Sequence, residues 1–373
     1  MRILQISNYY YPHTGGIEQV ACDIAHAIEG HENKVLCFNH EKDDRNDVID
    51  GVNVIRAGTF AKIASQSLSL SYNKVMKKAF DDFNPDVVVF HYPNPFVAHY
   101  LLKILKKRPN CKLVLWWHLD ITKQKILGKL FKGQNKKLLE RATKIIATSP
   151  NYVLGSKFLT EYKDKCTVIC NCFNTDRVAT TPQNEQNALE IRAKTPNKTI
   201  CFAVGRHVPY KGIEHLVNAS KHLSDDYVIY IGGSGPLTEE LKQKASGDDK
   251  IKFLGRVSDD ELKEYMLACD LFCFPSITKN EAFGIALAEA MAFGKACITF
   301  TIDGSGVNYV SLDKTTGIEV ANCDDEQYAK AIETLAKDVE LRNEYAQNAK
   351  ERAFNLFTYD IFKKNINDFF NTL

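Results

Sequence analysis

The chain has 373 residues, 45% of them hydrophobic and 25% charged. That balance excludes a disordered or fibrous protein, and at about 100–200 residues per domain the length points to two domains. Lys and Arg total 48 against 46 Asp and Glu, a net charge of +2, which argues against a chain coated generally by nucleic acid. Eleven cysteines are too few for a disulfide scaffold, and Cys37, Cys111, Cys201 and Cys297 sit inside apolar runs. There a cysteine acts as a small hydrophobe, so a reducing cytoplasm is the expected compartment.

The first apolar stretch, Ile3 to Ile6, is too short for a signal-peptide core and reads as a strand. No run approaches the roughly 20 apolar residues of a membrane span. The eight residues KLVLWWHL at 112–119 are among the richest. We therefore expect a protein that is soluble or rests on a surface.

In chain order, strands are expected at 2–7, 34–39, 52–57, 86–92, 112–117, 144–149 and 166–170. Helical patterns separate most of them, for example Ile17–Ile28, Tyr72–Phe83 and Phe96–Lys107. Polar residues 174–198, with two prolines, read as a connection and a short lead-in to the next unit. The alternation then restarts, with strands at 199–205, 227–233, 251–255, 271–275 and 296–300. Helices are expected near 211–222, 236–245, 259–268 and 285–293, and a helical tail over 325–373. The aromatics near its end (Phe354, Phe357, Tyr359, Phe362, Phe369, Phe370) need a surface to pack on. Such alternation, with continuous apolar strands, predicts an α/β protein of two doubly wound parallel sheets separated by a cleft.

Charge is unevenly spread. Residues 1–173 carry +9 and the remainder −7, and within the first part residues 101–144 hold 13 basic side chains against Asp120 and Glu140. The stretch KQKILGKLFKGQNKKLLERATK mixes Ile126, Leu127, Leu130, Phe131, Leu138 and Leu139 with eight basic residues. Two readings stay open: a basic amphipathic surface resting on an anionic membrane, or a solvated helix face.

Ligands of open parallel sheets bind beyond the carboxyl ends of strands, so strand-to-helix loops are where chemistry is sought. Gly15 and Gly16 precede the first helix, where backbone N–H groups can approach an anion. After the strand at 199–205 come Gly205, Arg206, Lys211 and Gly212, two cations suited to a diphosphate or, alternatively, to surface salt bridges. After the strand at 271–275 come Glu281, Gly284 and Glu289. Eight residues at 100° each leave an 80° offset on a straight helix, so the two acids would reach different ends of one extended ligand. Acceptor-only carboxylates suit the hydroxyls of a sugar and a ribose.

Residues Lys279–Ile298 resemble the Glu–x7–Glu signature of retaining glycosyltransferases of family 4, which have the GT-B fold. Gly15–Glu18, Gly205–Arg206 with Lys211–Gly212, Gly232–Pro236, LGRVSDDEL and ACDLFCFPS resemble the family's other motifs in order, over nearly the whole chain. WWHLDITKQK at 116–125 and Gly304–Val310 are similar to segments of O-antigen and capsule transferases that use GDP-mannose or GDP-rhamnose. Leu119 stands where that group often has serine, and NCFN at 171–174 where the family commonly has an Asn–Gly–x–Asp turn.

The resemblance implies an acceptor-binding Rossmann-like domain over 1–173 and a nucleotide-sugar-binding one over 174–355. Residues 356–373 would form a helix packing back on the first domain. It further implies that Arg206 and Lys211 neutralise the departing diphosphate, assisted by the N–H of Gly16. Gly15 and Gly205 would also line the donor site. Glu281 would hold donor-sugar hydroxyls and Glu289 the ribose, with backbone N–H groups of Ala282, Phe283 and Gly284 near sugar and phosphate. The backbone around Arg256 and Val257 would frame the base, His118 would act in catalysis facing acceptor and donor sugar, and Asp120 would help bind the acceptor.

The expected reaction is transfer of a hexosyl group, mannose or a related sugar from a GDP-sugar, to a lipid-linked or oligosaccharide acceptor of a bacterial surface polysaccharide. The alternatives are a UDP-sugar donor (UDP-GlcNAc, UDP-glucose or UDP-galactose) and a non-catalytic sugar-nucleotide binder. The chain has no Asp–x–Asp motif, so no metal and no other cofactor is expected. GGSGPL at 232–237 lacks the spacing of a dinucleotide fingerprint, which argues against an NAD-dependent oxidoreductase. The expected site is cytoplasmic, with peripheral contact on the inner face of the plasma membrane through residues 101–144 and no nucleic-acid partner.

Overall fold

The computed structural model describes residues 1–12, 15–63, 66–120 and 125–373, with the backbone alone at 63, 66 and 125–131. Its first half contains β1 (Arg2–Ile6), β2 (Glu32–Phe38), β3 (Arg45–Ile49), β4 (Val52–Ala57), β5 (Ala61–Ile63), β6 (Gln66–Leu68), β7 (Val87–Tyr92), β8 (Lys112–Trp117), β9 (Lys144–Ala147) and β10 (Cys166–Val168). Among the described residues these form a sheet in the order β10-β9-β8-β7-β1-β2-β4-β3, with β5 and β6 as a separate hairpin. Every pairing in the large sheet is parallel except β3 with β4. Continuous apolar runs make the central strands: all six residues of β7 are buried, because helices cover both faces of a parallel sheet. β3 was not anticipated because RNDVI is polar and largely exposed, as an edge strand is.

The second half adds β11 (Thr199–Val204), β12 (Tyr227–Gly232), β13 (Ile251–Gly255), β14 (Leu271–Phe274), β15 (Ala296–Phe300) and β16 (Gly317–Val320). They form an all-parallel sheet in the order β13-β12-β11-β14-β15-β16. The four-residue β16 is another unanticipated edge.

Residues 174–198 are not the plain connection expected. They hold a helix, Pro182–Ala193, started by Pro182 and a reciprocal cap: the Asn184 amide N–H donates to Thr181 Oγ1 (3.2 Å) and the Thr181 N–H to Asn184 Oδ1 (3.1 Å). Asn187 Nδ2 donates to Glu264 Oε1 (2.7 Å), fastening this helix to the helix Asp259–Ala268. The tail is helical, in three helices, Asp325–Lys337, Val339–Leu356 and Tyr359–Thr372. Asp338 interrupts the first two and caps the second by accepting from Leu341 N–H at 2.9 Å.

The chain forms two compact units: Met1–Thr148 with Ser156–Ile169 and Phe362–Leu373, and Ser149–Gly155 with Cys170–Ile361. Three features differ from the expected boundaries. Gly155 lies against Gly304, so close that a Cβ on it would be 2.1 Å from the Gly304 Cα, which draws 149–155 into the second unit. The Phe173 N–H donates to Phe357 O (2.9 Å), placing 170–173 there too. Residues from Phe362 onward belong to the first unit: Phe362, Ile366, Phe369 and Phe370 are buried, and Asn367 Nδ2 donates to Ala27 O at 2.8 Å. No helix among the described residues is long and apolar enough to cross a membrane.

Candidate active site

In the second unit the loops at the carboxyl ends of β11 and β14 hold the expected donor-site residues. Gly205 follows β11, and the Lys211 side chain crosses it, its Nζ 3.9 Å from where a Gly205 Cβ would stand. Gly212 has φ +60, and a Cβ there would lie 2.1 Å from Pro275 O, so only glycine lets the two loops touch. Ile277 N–H donates to Tyr210 O (3.0 Å), joining the loops again.

That junction sets Lys211 against Glu281. Their ammonium and carboxylate form an ion pair whose side chains are only 16% and 12% exposed. The Nζ also lies 5.1 Å from the Phe274 ring centroid. Burial pulls the lysine's pKa down, yet the Glu281 charge and hydrogen bond, with Tyr210, outweigh it and leave the pKa raised. Glu281 is itself pinned: Ser276 Oγ donates to its Oε2 (3.2 Å), and the Ser305 hydroxyl donates to its carbonyl. Arg206 is exposed. Of the two expected cations, then, Lys211 is already matched to a carboxylate.

Gly284, at φ +94, opens the helix Ile285–Ala292, which has no side-chain cap. A Cβ at Gly284 would come 3.1 Å from the Phe274 ring, so chain direction and packing both demand glycine. The first N–H groups of the helix therefore receive no side-chain cap, and Leu287 N–H donates to Gly284 O at 3.1 Å. Phe283 is buried with its ring edge-on to Phe357 (5.3 Å, 88°), and Ala282 presses its carbonyl against Gly306.

Glu289 lies within the same helix but in different surroundings. It is buried, and Arg177 Nη1 stands 3.4 Å from its Oε1, an oxygen with no hydrogen-bond partner. Burial raises its pKa, opposed by Arg177 and aided by Asp259. Arg177 also contacts Asp259 (3.2 Å). Val257 covers Gly232 at the end of β12, within 3.3 Å of where a Cβ would be, while Arg256 is exposed.

In the first unit, Gly15 has extended backbone (φ −168) and precedes the helix Gly16–Ala27, which has no side-chain cap. The space a Gly15 Cβ would take is filled by the Glu18 carboxylate (2.3 Å), whose pKa burial raises. Gly16 is open on its Cβ side. His118 follows β8 and is buried, its Nε2 2.9 Å from Nδ1 of His91. Asp120 is buried as well; its Oδ1 accepts from Trp117 Nε1 (2.9 Å) and Ser156 Oγ (2.8 Å), so this carboxylate holds the loop after β8. Arg177, Ser276, Ser305 and His91 were missed. Of these, His91 alone had a local signal, a polar residue inside the apolar run of β7.

Two Rossmann-like units, each an α/β sheet with glycine-rich turns at the carboxyl ends of its strands, define a GT-B glycosyltransferase. Residues 14–177 match the family described as Glycosyltransferase Family 4, and residues 184–352 match Glycosyl transferases group 1. The chain is 32% identical to O-antigen chain mannosyltransferase C of Escherichia coli, covering 96% of this chain and 95% of that protein. It is 31% identical to D-rhamnosyltransferase WbpZ of Pseudomonas aeruginosa, covering 96% and 92%. The chain belongs to this glycosyltransferase family. Among solved structures, Anabaena Alr3699/HepE in complex with UDP shares the fold with a TM-score of 0.81 at 19% identity, covering 100% of both chains. WaaG, a glycosyltransferase involved in lipopolysaccharide biosynthesis, does so at 0.72 and 17%, covering 98% and 99%.

Proposed function

We propose that this enzyme is a retaining hexosyltransferase that takes mannose or a closely related sugar from a GDP-sugar. It adds that sugar to a lipid-linked or oligosaccharide acceptor in bacterial surface-polysaccharide synthesis. The supporting observation is the near-full-length likeness to an O-antigen mannosyltransferase and a D-rhamnosyltransferase, together with the Lys211–Glu281 pair beside an uncapped helix start.

Breaking a glycosyl–phosphate bond builds positive charge on the sugar and negative charge on the departing diphosphate. Lys211 and Arg206 meet the diphosphate, joined by N–H groups at Ala282–Gly284. Glu281 accepts from donor-sugar hydroxyls while holding Lys211 in place, and Glu289 offers its unpartnered oxygen to the ribose. Arg256 and Val257 frame the base with backbone groups. His118 receives a sugar hydroxyl, with Asp120 shaping its loop. The acceptor attacks on the face the diphosphate leaves, without metal. Basic residues of 101–144 rest on an anionic inner leaflet; the side chains at 121–131 lie outside the described residues.

A thermal-shift panel of GDP, UDP, GDP-mannose, UDP-glucose and UDP-GlcNAc tests the donor. Saturating ligand at 100 times its Kd stabilises by about 2.7 kcal/mol, so the matching base stands out, and a larger shift with UDP overturns the GDP assignment. Lys211→Ala is expected to lower turnover by about 10²–10³, the usual loss for one charge-stabilising donor. Flotation with anionic and neutral liposomes tests the membrane contact, and equal binding to both rejects it.

A further inference from the structure

Four polar side chains cross one face of the first unit's sheet in a diagonal stair. The registers pair Asn33 with Ile3, Gln5 with Val89, and His91 with Trp116. Moving from β2 to β1, β7 and β8, the sequence Asn33, Gln5, His91, His118 therefore climbs one strand and two residues at each step. Steps of two keep every member on the same face, and such diagonal neighbours stand about 7–8 Å apart, within reach of long or aromatic side chains.

The stair is hydrogen-bonded throughout. Asn33 Nδ2 donates to Ala25 O (3.0 Å), and Gln5 Nε2 donates to Asn33 Oδ1 (3.3 Å). Gln5 Oε1 stands 3.2 Å from His91 Nε2, and His91 Nδ1 stands 2.9 Å from His118 Nε2. The imidazoles are nearly parallel (14°, centroids 5.2 Å apart), and His91 is stacked near Trp116 on its own level (20°, 6.2 Å).

Direction follows from the first link. A backbone carbonyl can only accept, so Asn33 must turn its amide nitrogen to Ala25 O and its oxygen to Gln5. Gln5 must then donate and present its own oxygen to His91. His91 Nε2 therefore carries a proton. Burial holds both histidines neutral, pushing His91 down to about 3 and His118, with His91 adding, well below the ordinary value. A neutral imidazole has one N–H, so His91 Nδ1 is bare and accepts from His118, whose single proton sits on Nε2. Reversing any link would set two acceptors face to face at Ala25.

We propose that Gln5 and His91 are positioning residues that lock His118 in its Nε2–H tautomer, so that its Nδ1 is a permanent hydrogen-bond acceptor for a substrate hydroxyl. Nδ1 has no hydrogen-bond partner among the described residues. That His118 meets a substrate hydroxyl rests on the function proposed above; the tautomer does not.

The experiment is imidazole 15N–1H correlation spectroscopy of the full chain labelled at histidine, with kinetics of His91→Phe, His91→Asn and His118→Ala. The expected wild-type spectrum has His118 protonated at Nε2 and bare at Nδ1. In His91→Phe the acceptor is gone, and the expected result is loss of the single tautomer with a fall in kcat of about tenfold or more at little changed KM for the sugar nucleotide. His91→Asn returns an oxygen where the ring Nδ1 stood and is expected to restore both. A proton on Nδ1 in the wild type overturns the proposal whatever the activity, and this needs no variant to fold. Where His118→Ala loses activity, unchanged kcat in a folded His91→Phe overturns it also. Full activity in His118→Ala with the expected spectrum instead removes the substrate role of His118 and leaves the lock standing.

Discussion

Removing Glu281 separates the contribution of the Lys211 pair to folding from its contribution to catalysis. In Glu281→Ala the Lys211 ammonium, only 16% exposed, loses its carboxylate and keeps the Phe274 ring at 5.1 Å. Breaking a buried pair costs about 3–5 kcal/mol, and the residual exposure of both groups places this one near about 3 kcal/mol. For a unit of this size that is a fall in Tm of about 6–12 °C. Lys211→Met should cost less, because Glu281 retains the Ser276 hydroxyl at 3.2 Å. Lys211→Met/Glu281→Leu removes both charges, and its cost should fall short of the summed single losses by more than about 1 kcal/mol. Both tryptophans, Trp116 and Trp117, belong to the first unit. Urea transitions followed by tryptophan fluorescence should therefore stay put while those followed by far-UV circular dichroism shift. The lysine's pKa is raised, so the pair's contribution is complete at neutral pH and is lost as pH climbs from the ordinary lysine value through that raised one. Additive losses, or a Glu281→Ala protein as stable as wild type, would refute the pairing. The double variant should fold and yet fail to release nucleoside diphosphate.

Glu289→Gln should stabilise the ligand-free protein at neutral pH and flatten its pH dependence, measured by urea titration at several pH values. The reason is that a carboxyl whose folded pKa is raised binds its proton more tightly when folded, so stability falls as pH rises from the unfolded value through the folded one. Gly212→Ala should cost more than about 2 kcal/mol, because positive φ and the carbonyl of Pro275 both oppose a Cβ. Gly247→Ala, with φ +84 but open space, should cost only about 1 kcal/mol in the same denaturation assay. Thr181→Ala should lose about 1 kcal/mol with unchanged turnover, since it removes a helix cap and nothing else.

Much of the fold was legible because parallel strands announce themselves: VVVFHY and KLVLWW have no polar face to hide. The elements that escaped are edges such as β3 and β16, whose residues pair on one side only and so need no continuous apolar run. The helix Pro182–Ala193 escaped for a different reason. Its polar sequence carries almost no apolar periodicity, and it is held by caps and by amides reaching Glu264. At the site, residue types were readable but partners were not. Lys211 and Glu281 are far apart in sequence, and their meeting depends on Gly212 letting one loop approach Pro275. Gln5 and His91 were visible as polar interruptions of apolar strands, but their shared stair depends on sheet register, which no local pattern carries.

The two acids of the Glu–x7–Glu motif are held in opposite ways, and the contrast follows from where each stands on the chain. Glu281 precedes the helix, in a loop that Tyr210, Thr278 and Ser305 hold in place, where a facing ammonium supports its charge. Glu289 is inside the helix, where its backbone is committed to the ladder and its side chain enters the protein with Arg177 at 3.4 Å as its charged neighbour. A buried carboxylate oxygen without a hydrogen bond is costly, and the cost is removed by any ligand that brings a hydroxyl to it. Glu281 gains less from the same hydroxyl because Ser276 and Lys211 already serve it. Ligand selectivity in this unit should therefore be set mainly by the group that reaches Glu289, while Glu281 holds the Lys211 ammonium in place.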